Sequence, residues 1–224
     1  MSLTPNYIFS GDFREMEPYF LSRPHQKCSF QRGDYLWKPG EPFGKIHYIL
    51  SGTIQNSLEH DSGKRKIVSF HGPGTVFPGY HQTHYKIENS LVSLALFDTE
   101  VLEFTQEQFS AMFHENANLQ NLVIDWYASY ANLLLFEAAH QDYNSAFVKL
   151  CNLLYLLLVS ENGRQNYLGD ITQDTLAEIL GVSLVNLTRG LTRLRSEHII
   201  ETGRKQISVL DAEALKRYCS CETL

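Results

Sequence analysis

Residues 181–200, GVSLVNLTRGLTRLRSEHII, carry three arginines and no acid before Glu197, in a 224-residue chain of formal net charge −6. Set on a helix with Leu187 at 0°, the residues Leu184, Gly190, Leu191 and Leu194 fall within about 60° of it, while Val185, Thr188, Arg189, Thr192 and Arg193 face away. One side is apolar; the other is basic and hydroxylated. Just upstream, QDTLAEIL (173–180) reads as a short helix that Thr172 can cap. Ala177 is small where two helices must approach, Gly181 permits a tight turn, and Ser183 can cap the next helix. That order spells helix-turn-helix. Downstream, HIIETGRKQISVLD (198–211) alternates around Gly203-Arg204-Lys205, as a hairpin with two cations at its tip would. A solvated face of an ordinary helical bundle would share the periodicity. The Ala-Gly spacing, the Ser183 cap and the basic hairpin together favour a winged helix.

Charge distribution supports a local basic surface. Residues 145–224 hold nine Lys/Arg and nine Asp/Glu, so the first 144 hold the other 10 basic and 16 acidic residues. General polyanion binding is therefore not expected, but one basic helix can serve one groove. Hydrophobic content of 43% and charged content of 20% are ordinary globular values. The apolar run Leu150 to Val159 is too short to span a bilayer, and MSLTPNYIFSGDF lacks a charged leader with an apolar core, so a cytoplasmic protein without a membrane partner is expected. Cys28, Cys151, Cys219 and Cys221 have no CxxC spacing, which argues against a zinc site or a disulfide framework; a redox pair of Cys28 with the tail thiols is the alternative to incidental thiols. No Ser/His/Asp cluster, phosphate loop or paired metal ligands suggest an enzyme.

From about Phe30 to Thr105, short alternating runs are separated by Gly33, Pro39-Gly40, Gly52, Asp61-Ser62-Gly63 and Gly72-Pro73-Gly74, the spacing of an antiparallel barrel or sandwich. After Thr105 the chain has no glycine until Gly163. Leu119, Leu122, Val123, Trp126, Tyr130 and Leu133 then share one helical face, expected to form a dimer seam on a helix from about Asn116 to His140. HQDYNS interrupts it before a further helix that Asn144 or Ser145 can cap. The expected class is α+β, with a β-roll over 1–115, a dimerisation helix over 116–141 and a winged helix over 142–224.

This order of parts resembles the Crp/Fnr superfamily of bacterial transcription regulators. The matching stretches are FQRGDYLWKPGEPFGKIHYILSGTIQ (30–55), similar to the family's K-G-x-x-L-x-x-P-G-E strand pair and L-x-G turn, DSGKRKIVSFHGPGTVF (61–77), and LAEILGVSLVNLTRGLTRLRSEHII (176–200). The resemblance implies a homodimer that binds double-stranded DNA, with RNA polymerase as a further partner. The family's recognition helix usually reads S-R-E-T-V-x-R; here Ser183-Leu184-Val185-Asn186-Leu187-Thr188-Arg189 stands in its place. Arg189 matches the arginine that reads guanine. Leu184 and Val185 replace the Arg-Glu pair, so the operator should differ, and Val185 can meet a thymine methyl. The segment is similar to that of the halorespiration regulators, which act on A/T-rich palindromes. Thr188, Thr192 and Arg193 should assist at the backbone or base edges, with Arg204 and Lys205 on phosphate. Gly190 departs from the family's apolar residue at a cost of about 1 kcal/mol in helix propensity, which suggests loose packing behind Arg189.

Family members that bind cyclic nucleotide carry G-E-[LI] and R-[ST]-A. Here Pro78-Gly79-Tyr80 replaces the first element, and no arginine occurs from Lys66 to Gly163, so a buried phosphate would be poorly compensated. The oxygen-sensing branch needs several N-terminal cysteines, and only Cys28 precedes the barrel. Tyr80, His81, His84, Tyr85 and Lys86, with Trp126 and Tyr130, instead suit a small organic effector, an aromatic acid or phenolate in the halorespiration regulators that the segment resembles. Core packing is the plainer expectation for Trp126 and Tyr130. Haem ligated by His81 or His84 is one alternative; a signal-binding module acting on a protein partner is another.

Overall fold

The computed structural model describes residues 4–41, 44–81, 85–160, 172–203 and 206–224. Their contacts divide the chain into two units: Tyr7–Ser129, and Tyr130–Leu224 together with the N-terminal residues through Asn6. The division falls inside one long helix.

Among the described residues the first unit has nine strands. They are β1 (Ile8–Phe9), β2 (Gln26–Phe30), β3 (Tyr35–Trp37), β4 (Lys45–Ser51), β5 (Ile54–Glu59), β6 (Arg65–His71), β7 (Val76–Phe77), β8 (Leu91–Ala95) and β9 (Thr99–Thr105). One sheet runs β1-β6-β5-β8-β3 and the other β2-β9-β4-β7. Ile54 of the first meets Ile49, Phe77 and Val101 of the second in a common core. Alternation selects these residues, because inward and outward positions repeat every two residues along a strand. Gly52, in the turn between β4 and β5, has φ +86°, and a Cβ there would stand 2.6 Å from the Asp98 carbonyl oxygen. Only glycine fits that bend. Helix α1 (Glu17–Leu21) brings Phe20 against Tyr48, Phe104 and Phe109. Helix α2 (Gln106–Glu115), which the periodicity does not separate from the longer helix, starts with a capping box in which Thr105 and Gln108 satisfy each other's backbone amides.

Helix α3 (Ala117–Tyr143) corrects the expected seam. Leu119, Val123, Trp126 and Leu133 are buried within the chain and Tyr130 is half-buried. Trp126 lies 5.7 Å from the Phe9 ring and 6.1 Å from that of His71, and a Cβ on Gly79 would come within 2.5 Å of it. A face so filled is not available to a second chain. Among the exposed positions of the helix, Ile124, Ala128, Ala131, Leu135 and Ala138 follow one another in alternating steps of four and three and form a continuous apolar stripe; Ile124 is 61% and Leu135 72% exposed.

In the second unit, α4 (Ala146–Val159), capped by Ser145, packs against α5 (Gln173–Leu180), α6 (Leu184–Ser196) and α7 (Ala212–Lys216). Strands β10 (Ile200–Gly203) and β11 (Gln206–Val209) pair antiparallel, as the wing pattern requires. Among the described residues no helix is long and apolar enough to cross a membrane.

Candidate nucleic-acid interface

The recognition helix is set by local chemistry at both ends. Thr172 caps α5 by accepting from Thr175 N, Gly181 closes it at φ +63°, and Ser183 caps α6 by accepting from Asn186 N. The left-handed turn at Gly181 costs an L side chain strain that glycine avoids. Gln141 braces it, donating to the Leu180 carbonyl at 3.2 Å, while Lys149 Nζ donates to Gln141 Oε1 at 2.6 Å.

On α6 the residues Leu187, Gly190, Leu191 and Leu194 are buried. Each of the three leucines contributes roughly 1.5–3 kcal/mol by leaving water. The arc differs from expectation at Leu184, which is 45% exposed at the first turn. Gly190 differs too. A Cβ there would come within 2.8 Å of Leu150 Cδ2 and 3.7 Å of Phe147, so the absent side chain allows a close approach of α4 in place of the loose packing that helix propensity suggests.

The outward side of α6 forms one concave strip lined by Leu184, Val185, Thr188, Arg189, Thr192, Arg193 and Ser196. The sequence reading names all but Ser196. Val185 is 60% exposed, and Arg189 is exposed with no hydrogen bond or ion pair to any described residue. Arg193 is committed elsewhere. Its guanidinium stacks on Phe147 of α4 and on Tyr218, and its Nε donates to Glu197 Oε1 at 3.0 Å. Tyr218 donates its hydroxyl to the other oxygen of Glu197 at 2.8 Å. That pairing holds the Glu197 carboxyl below the usual carboxylate range. Thr192 Oγ1 accepts from Arg195 Nη2 at 3.1 Å, and Arg195 Nη1 reaches Thr202 of β10, a link between helix and wing that the reading does not include. Arg204 and Lys205 lie outside the described residues.

Of the described residues expected to hold an effector, His81 and Tyr85 lie together, while Tyr80 is seated against α2. Tyr80 is 7% exposed, donates to Ser110 Oγ at 2.8 Å and packs on Phe109 and Phe113, because its amphipathic ring finds both partners on α2. His81 stacks on Tyr85, and its Nε2 lies 3.0 Å from Glu88 Oε1. Tyr85 and Lys86 are exposed, Trp126 is sealed against Phe9 and His71, and Tyr130 is half-buried. His84 lies outside the described residues. All four cysteines are free thiols; burial raises Cys151 to about 12 and Cys219 to about 11, which leaves little of their reactive thiolate near neutrality.

A two-sheet roll, a long helix and a winged helix with an exposed basic strip define a transcription regulator of the sensor-plus-reading-head class. The profile of Crp-like helix-turn-helix domains matches residues 148–218, and that of cyclic nucleotide-binding domains matches residues 27–116. The chain belongs to the Crp/Fnr superfamily. It is 25% identical to the global nitrogen regulator of Nostoc sp. over 97% of this chain and 99% of that one. It is 21% identical to the transcriptional activator protein anr of Pseudomonas aeruginosa, over 81% and 75%. The structure of OCPA-complexed CprK matches the fold with a TM-score of 0.73 at 17% identity, covering 95% of this chain and 98% of that one.

Proposed function

We propose that the chain acts in the cytoplasm as a homodimer that binds a palindromic operator, each half-site taking one α6 and the two helices lying about 34 Å apart. The observation that carries this is Arg189, exposed and without a partner among the described residues, on the same outward strip of α6 as Thr188, Leu184 and Val185. A guanidinium can take guanine by two hydrogen bonds, and the apolar pair can meet thymine methyls. The stripe Ile124, Ala128, Ala131, Leu135 and Ala138 supports the dimer, because a four-three repeat of exposed apolar residues suits a two-helix seam.

Control belongs to a small organic effector, not a cyclic nucleotide. Residues 66–163 contain no arginine, and Glu88, the acid nearest the turn that carries the nucleotide motif in relatives, is engaged by His81. An effector that prefers one of two arrangements of the dimer would then bias operator binding.

Selection of bound fragments from a genomic library, followed by gel shift, tests the reading. Recovered fragments should share an inverted repeat and compete with one another. Retention of all fragments alike, or of none, would refute it.

A further inference from the structure

Arg195, on the last turn of α6, reaches two elements at once. Its Nη2 donates to Thr192 Oγ1, one turn back on the same helix, at 3.1 Å, and its Nη1 donates to Thr202 Oγ1 on β10 at 3.3 Å. A planar fork of fixed geometry thus ties the recognition helix to the first strand of the wing. Thr192 belongs to the outward strip that holds Arg189, and Thr202 is half-buried beside it in sequence with the wing turn. The Glu197 carboxylate is taken by Arg193 and Tyr218, and among the described residues no acid pairs with Arg195, so its charge is not neutralised within them.

A threonine hydroxyl has one proton to donate and two lone pairs with which to accept. Both oxygens here accept from the guanidinium, whose positive charge turns the hydroxyl protons away from itself. A threonine inside a helix commonly donates that proton to the carbonyl one turn back. Thr192 makes no such bond, and neither hydroxyl donates to a described residue. Two donors are therefore left facing outward, and a cation behind an O–H strengthens it as a donor. The acceptor that suits them is anionic and has no proton of its own, as the phosphate oxygens of DNA are. Base edges mix donors with acceptors, so a uniform pair of donors backed by positive charge fits the backbone better.

We propose that Arg195 is a positioning residue for the DNA backbone: it locks the wing to α6 and turns the Thr192 and Thr202 hydroxyls into donors for neighbouring phosphate oxygens, without touching the duplex itself. The inference rests on the reading of α6 as the helix that faces DNA. It is separable from operator selectivity, because phosphate contacts hold any sequence alike whereas the base contact of Arg189 does not.

The test titrates the full chain at low salt on a duplex carrying a selected genomic fragment and on one of scrambled sequence, with Arg195→Ala, Thr192→Val and Thr202→Val singly and combined. Arg195→Ala should weaken binding about tenfold on both duplexes, the share of one hydrogen bond to a charged group, and the two threonine changes together should do the same. All three changes at once should weaken it little further, because the arginine acts through the hydroxyls. Single methylphosphonate replacements along each strand should find one or two phosphates whose neutralisation weakens the native protein about tenfold and has little effect on Arg195→Ala or on the double threonine variant. An arginine that touched phosphate directly would give losses that multiply, and one that merely supported the fold would leave the phosphate sensitivity intact in its variant; either result overturns the proposal. Native binding to both duplexes alike would refute the operator reading alone, and no binding to either would overturn both.

Discussion

The guanidinium carbon of Arg193 lies 4.1 Å from the centre of the Phe147 ring and 4.9 Å from that of Tyr218. The recognition helix is thereby pinned to α4 and to the segment after α7 by a cation held between two rings, with Glu197 completing the clamp. Arg193 is thereby engaged within the chain, whereas Arg189 has no hydrogen bond or ion pair to any described residue, so the proposed base contact falls to Arg189.

Truncating the clamp should therefore weaken the fold before it alters sequence preference. Phe147→Ala should lower stability by about 2–4 kcal/mol, from lost packing and lost cation–π contact. Operator affinity should fall by the same factor on cognate and altered sequences. Urea denaturation alongside titrations on both DNAs checks this.

On α3 the two apolar faces should respond oppositely to mutation. Leu135→Glu should leave the fold intact and convert the proposed dimer to monomers, as seen by sedimentation equilibrium, since Leu135 is 72% exposed in the chain. Trp126→Ala should instead cost about 3–5 kcal/mol of stability, the usual consequence of emptying a core site, and leave association unchanged in the molecules that stay folded.

These two helices show which features a sequence reveals. The winged helix is legible because its signals are local: caps at Thr172 and Ser183, a left-handed glycine at 181, and a 3.6-residue period over one short helix. On α3 the same period supports two stripes, and nothing within the helix says which one the β-roll covers; Phe9 and His71, more than fifty residues upstream, decide it. The loop residues 80–86 suggest an effector lining by composition alone, yet Tyr80 finds its partners on α2. His47 and Glu103 become neighbours only through strand register, which the sequence does not state.

His71 should give the protein an acid-side stability loss. Burial lowers its pKa from the ordinary 6.5 to about 3, so between those values the unfolded chain holds a proton that the folded chain refuses. Stability is then full above pH 6.5 and falls as pH drops, by at most about 1.4 kcal/mol per unit from this group. His71→Gln should flatten the slope between about pH 6 and pH 4 in a series of urea titrations, roughly by that share.

The central claim is that Arg189 reads a base, and specificity tests it most directly. Titrating the native protein and Arg189→Ala against the selected operator and against each single-pair change of one half-site should show a loss of about 1–3 kcal/mol on the operator. Discrimination should disappear at one symmetric position and persist at the others. A variant that loses affinity equally on every sequence, with the native pattern of preference intact, would contradict the account.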